Sequence, residues 1–127
     1  MIWHKGWKAP TKAERERINQ MMAFLCPCCS IAGYLFRDHT ECHHIISGTK
    51  RMGHWYTLPI CRGHHRGAFS ERQRLMIEPA YLVAISDGLK LFTEVFPTER
   101  ELWVRVQETL GLSTDWPQSK ILPRRVA

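Results

Sequence analysis

Three cysteines within four residues, Cys26-Pro27-Cys28-Cys29, followed further along by Cys61-x2-His64, restrict what this chain can fold into more than any other feature. Each half-site comes from a tight turn that lets two ligands converge on one ion, at the spacing tetrahedral zinc takes. Unrelated free thiols would not pair up in this way. Cys26, Cys29, Cys61 and His64 are therefore the expected structural zinc ligands. Two exchanges stay open, because Cys28 could replace Cys29 and Cys42 could replace His64. The metal would tie two distant stretches together in a domain of 127 residues, which can build only a modest core.

The remaining cysteine chemistry agrees with a metal site. Five cysteines is an odd count, and Met1-Ile2-Trp3-His4-Lys5 has no apolar run of signal-peptide type. The expectation is a reducing cytoplasm, where clustered cysteines hold metals more often than disulfides. No stretch approaches the ~20 apolar residues of a membrane span.

Local signals divide the chain into an arm (1–10), a domain (11–112) and a basic tail (113–127). The arm carries Trp3 and Trp7 without periodicity. Thr11 and Glu14 form a capping box that starts a helix running to about Phe24, with Ile18, Met21, Met22 and Leu25 near one face. Lys12, Arg15 and Arg17 are expected on its solvated side. Cys26 to Gly33 reads as a knuckle turn, and Tyr34–Phe36 and Glu41–Ile46 as short strands. Trp55–Ile60 is a further strand, restrained by Pro59 to an edge or an end. A helix is expected to begin near Gly63. Ser70–Ile77 fits a helix or an extended connector, and Ser86-Asp87-Gly88 marks a turn. A second capping box, Thr98 with Glu101, opens a helix to Leu110 whose Leu102, Trp103, Val106 and Leu110 form a core stripe before Gly111 stops it. Lys120, Arg124 and Arg125 make the tail basic. The fold class is α+β.

The chemistry concentrates in Cys42–Gly67, which holds five of the seven histidines. His43-His44 opens the stretch, His64-His65 closes it, and a Gly-punctuated basic loop (residues 47–53) lies between. Eighteen basic against twelve acidic side chains give the chain +6, which favours a polyanion such as nucleic acid as partner. Paired histidines around a basic loop suggest metal chemistry on an anionic substrate.

Cys-His-His-Ile-Ile, a Gly-containing loop and Leu-Pro-Ile-Cys-x-x-His-His resemble the HNH, or ββα-metal, nuclease motif in its zinc-knuckle form. His-Trp-Tyr-Thr-Leu-Pro-Ile-Cys-x-x-His-His-x-Gly and the downstream Phe-Pro-Thr-Glu-x-Glu-Leu are similar to the phage recombination-enhancement (Ref-type) nucleases, over roughly residues 24–110. The resemblance implies a zinc-stapled ββα-metal core with flanking helices. It implies His44 as general base, with His43 and His65 as ligands of a catalytic ion. His43 stands where the family often has aspartate. Where the family often has asparagine, His54 is the nearest polar side chain for orienting the base.

The implied activity is endonucleolytic hydrolysis of DNA, directed by a RecA filament. Neutral His44 would take the attacking water's proton, and the ion would stabilise charge at phosphate and leaving oxygen. The operative ion is expected to be magnesium or manganese, with zinc or nickel as alternatives, since two imidazoles suit zinc, nickel or manganese better than magnesium. Lys50, Arg51 and Arg66 would hold the backbone without reading bases. All of this expects His43, His44 and His65 to face one cavity. Two alternatives are a non-catalytic zinc-finger DNA-binding protein, with every histidine spent on structural metal, and a phage nicking or packaging nuclease without a recombinase partner.

Overall fold

A computed structural model describes residues 8–116; Trp3 and Trp7 of the arm, and Lys120, Arg124 and Arg125 of the tail, lie outside the described residues. The chain opens with helix α1 (Lys12–Met21), capped reciprocally by Thr11 and Glu14. It ends at Met21, earlier than the apolar pattern suggests, with Met22 as its C-cap. The knuckle is a one-turn helix, α2 (Pro27–Ile31), which Pro27 starts from its first position.

Tyr34–Phe36 is not a strand. The Tyr34 amide bonds back to the Cys29 carbonyl at 2.8 Å, and its buried side chain donates from the hydroxyl to Asp38 at 2.6 Å. The backbone is thus committed to closing the knuckle, and no strand among the described residues pairs with it.

Strand β1 (Thr40–His44) pairs antiparallel with β4 (Thr57–Cys61), setting His43 opposite Leu58 and His44 opposite Thr57. Between them β2 (Ile46–Ser47) and β3 (Lys50–Arg51) form a small hairpin of their own. Every residue of β4 is buried, yet among the described residues its only strand neighbour is β1. Pro59 therefore sits in an edge strand, as its missing N–H requires.

Helix α3 (Arg62–Arg66) follows β4 without a linker. Gly63 is needed for space, since a Cβ there would come within 2.3 Å of the Phe69 ring. Gly67, at φ 83°, then ends the helix in the left-handed conformation that glycine favours.

The rest of the chain packs around this unit. Helix α4 (Glu71–Met76) has a capping box from Ser70 and Gln73. Two 3-10 turns, Pro79–Tyr81 and Ile85–Asp87, lead to α5 (Leu89–Val95), and Gly88 falls at the expected break. Helix α6 (Glu99–Leu110) starts at the Thr98 box and stops at Gly111. Its Leu102, Trp103 and Val106 join Ile18, Met21, Leu58, Ile60, Phe92 and Phe96 in one core. Trp55 and Tyr56 serve that core too: Tyr56 stacks on Trp103 with ring centres 5.2 Å apart, and the Trp103 indole donates to the Trp55 carbonyl. Among the described residues no helix is long and apolar enough to cross a membrane.

Arg17 is not on a solvated face. It is 2% exposed and donates to Gln107 Oε1 at 2.6 Å, Thr57 Oγ1 at 2.8 Å and the Thr57 carbonyl at 3.1 Å, bracing α1 against β4 and α6. Burial lowers its pKa to about 10, partly opposed by Cys42. Replacing it by methionine keeps the apolar stem but strands those acceptors. Arg17→Met is expected to cost about 2 kcal/mol, within the range for leaving buried polar groups unpaired, and Arg17→Ala more. Chemical denaturation with unchanged m-values would read this; wild-type stability in Arg17→Ala would refute it.

Candidate metal centres and histidine pairs

The knuckle, the end of β4 and the start of α3 deliver four buried donors to one point. The sulphurs of Cys26, Cys29 and Cys61 and Nδ1 of His64 all lie within 4.8 Å of one another. Cys29 and Cys61 are 3.6 Å apart, and His64 Nδ1 is 3.3 Å from Cys61 and 3.5 Å from Cys29. Ligands at zinc's usual bond lengths on a tetrahedron would stand about 3.8 Å apart for two sulphurs and about 3.6 Å for sulphur and nitrogen. The cluster has those dimensions and could hold a structural metal such as zinc. The four donors that converge are Cys26, Cys29, Cys61 and His64; Cys28 is buried beside the cluster, and Cys42 lies on β1 near Arg17 and Thr57.

The surroundings prepare the donors. His64 Nε2–H donates to the Tyr81 carbonyl at 2.9 Å, which leaves Nδ1 as the lone-pair nitrogen facing the sulphurs. The Gln73 amide donates to Cys61 at 3.3 Å and Cys29 at 3.5 Å, and the His64 backbone N–H to Cys61 at 3.3 Å. Proximity drives the thiols apart in acidity. Burial pushes Cys26 up, but hydrogen bonds from its neighbours outweigh this and hold it well below the usual range, while Cys28 and Cys29 are raised chiefly by Cys26. A multivalent cation at the centre is what lets adjacent sulphurs ionise together.

A second cluster lies on the face of β1 that carries alternate residues Glu41 and His43. His43 Nδ1 is 3.2 Å from His65 Nε2. The other nitrogen of each ring meets a carboxylate: His43 Nε2 bonds Glu99 at the start of α6, and His65 Nδ1 is 2.8 Å from Glu41. Glu41 also receives Arg66 at 2.8 Å. Burial raises the Glu41 carboxyl, but His65 and Arg66 outweigh it and keep it below the usual range.

His44 turns the other way. Its Nε2 is 3.0 Å from His54 Nδ1, and His54 Nε2 bonds the Lys8 carbonyl. Because a carbonyl only accepts, His54 carries a proton on Nε2, and with His54 neutral it is His44 Nε2–H that donates to His54 Nδ1. The basic nitrogen of neutral His44 is then Nδ1. The two rings border a pocket of about 630 Å³ that also takes in Lys8, Thr11, Lys50 and Arg51.

So the structure brings His43 together with His65, and His44 together with His54, rather than placing His43, His44 and His65 around one cavity. Period two in β1 is the reason. Of the expected backbone contacts, Lys50 and Arg51 border the His44 pocket, whereas Arg66 is engaged with Glu41 on the other face. Sequence reasoning passed over both carboxylates. Glu41 could have been found as the residue two before His43 on the same strand face. Glu99 had no comparable signal, because its position at the start of a capped helix already accounts for an acid.

Residues 10–111 match the family model described as recombination enhancement, RecA-dependent nuclease. A comparison with curated proteins returns no match.

Proposed function

The chain belongs to the recombination enhancement, RecA-dependent nuclease family, and from that premise we propose that it is an HNH endonuclease that hydrolyses DNA phosphodiester bonds on DNA engaged by a RecA filament. The pairing of β1 with β4 and the helix that directly follows β4 supply the ββα element order. The observation that carries the reading is the His43–His65 pair. The outer nitrogen of each ring meets a carboxylate, so the inner nitrogens, His43 Nδ1 and His65 Nε2, face each other across 3.2 Å. They can share one proton there, or hold an ion in its place. Two nitrogens on one ion at about 2.0–2.1 Å would stand roughly 2.9 to 3.3 Å apart, depending on the angle between them, so the pair fits a divalent cation with open positions for water and phosphate.

When bound, that ion would supply positive charge against the scissile phosphate and the leaving 3′-oxygen. The remaining work falls to the chain's own side chains. His44 Nδ1 takes the proton of the water attacking phosphorus, and the bond to the 3′-oxygen breaks as the new P–O bond forms. His54, held by the Lys8 carbonyl, keeps the His44 ring in the tautomer that leaves Nδ1 basic. Lys50 and Arg51 hold the backbone phosphates without distinguishing bases. The buried cysteine–histidine cluster stays structural, because its four donors leave no open position.

A supercoiled plasmid offered with magnesium or manganese, with and without RecA and a targeting oligonucleotide, tests the proposal. Cleavage is expected only with the filament and a divalent ion. DNA binding without any cutting would instead mark a non-catalytic zinc-finger protein, and equal cutting without RecA would remove the filament from the reading.

A further inference from the structure

The carboxylates of Glu41 and Glu99 belong to no role considered so far, yet they close both ends of one continuous chain of contacts. It runs Glu41 Oε1 to His65 Nδ1 at 2.8 Å, His65 Nε2 to His43 Nδ1 at 3.2 Å, and His43 Nε2 to Glu99. The four residues come from β1, α3 and the first turn of α6, so three elements far apart in sequence converge on it. We infer that Glu41 and Glu99 are positioning residues for a divalent-ion site at His43 and His65. This rests on the function proposed above.

Two properties of the arrangement lead there. First, an imidazole ligand must present a lone pair, and a carboxylate on its other nitrogen both fixes that tautomer and stops the ring from turning. Here the two rings bind through opposite nitrogens, Nδ1 of His43 and Nε2 of His65, and each is matched by a carboxylate on the remaining one. Second, a carboxylate stands at each end of the paired rings, and a cation held between the rings would balance the negative charge that Arg66 does not already meet. The side chains of His43 and Glu99 are 10% and 11% exposed, so little solvent screens this charge. The carboxylates are not equivalent. Glu41 is shared with Arg66, with Arg62 at 3.9 Å. Glu99 therefore offers the cleaner probe.

Manganese titration of the zinc-loaded protein by calorimetry, together with nitrogen-15 imidazole spectra that report each ring's tautomer, tests the inference. Glu99→Ala is expected to weaken manganese binding by about 10–100-fold, the usual loss when such a partner is removed. It should also shift His43 from a single tautomer, protonated at Nε2, to a mixture. Glu99→Gln should recover part of the affinity, since its amide oxygen still accepts from Nε2–H and preserves the first turn of α6. Wild-type affinity and an unchanged His43 tautomer in Glu99→Ala would overturn the positioning role while leaving the ion site standing. Wild-type protein that binds manganese no better than His43→Ala would overturn the ion site itself, and this inference with it.

Discussion

Cys29→Ala is expected to abolish cooperative folding, while Cys28→Ala, one residue earlier and equally buried, leaves a folded, metal-loaded protein. The two thiols have nearly the same exposure, so loss of apolar burial cannot separate them. Only Cys29 belongs to the four donors that converge. Structural zinc contributes roughly 10–16 kcal/mol to small zinc domains, as much as the whole stability of an ordinary domain of this size. Losing one of four ligands forfeits most of that and leaves the others as unbalanced groups in a dry pocket. Cys28→Ala should cost only about 1–2 kcal/mol, as for a small truncation in a core. Thermal unfolding by circular dichroism, with zinc measured per chain, distinguishes the variants. A normal melt for Cys29→Ala would take the metal out of the fold. Chelation of the wild type should reproduce the Cys29→Ala result.

The same contrast shows what could be seen in the sequence and what could not. Spacing alone identified Cys26, Cys29, Cys61 and His64 as a possible set, because two-residue gaps are a property of turns and turns are local. Choosing between Cys28 and Cys29 required the direction of each side chain on α2, which spacing does not encode. Capping boxes at Thr11 and Thr98 were legible for the same local reason, as were Gly111 and the break at Gly88. Arg17 was misplaced on the solvated face because its acceptors, Thr57 and Gln107, are supplied by β4 and α6, distant in the chain. Tyr34–Phe36 has the composition of a strand, but a strand needs a partner edge, and none among the described residues reaches it. In the candidate site, β1 placed adjacent histidines on opposite faces, a consequence of period two that a cluster of histidines in the sequence conceals.

His44→Ala is expected to lower RecA-dependent cleavage by about 10²–10⁴-fold, the range for losing a general base, with DNA binding and melting unchanged. His54→Ala should show a smaller loss, since it frees the His44 ring without removing it. The separation of the two histidine pairs makes a sharper test possible. If His43 holds an ion and His44 moves a proton, the variants fail for different reasons. An ion ligand lost from His43→Ala lowers affinity, which excess manganese restores by mass action. A proton acceptor lost from His44→Ala is not replaced by any concentration of metal. Cleavage by His43→Ala should therefore climb with manganese while His44→Ala stays inactive. The scissile phosphate must then lie where both faces of β1 are within reach, at the strand's end, since β1 stops at His44 and the chain departs toward the Lys50–Arg51 hairpin. Recovery of His44→Ala by manganese would exchange the two roles and move the ion to the His44–His54 side of the strand.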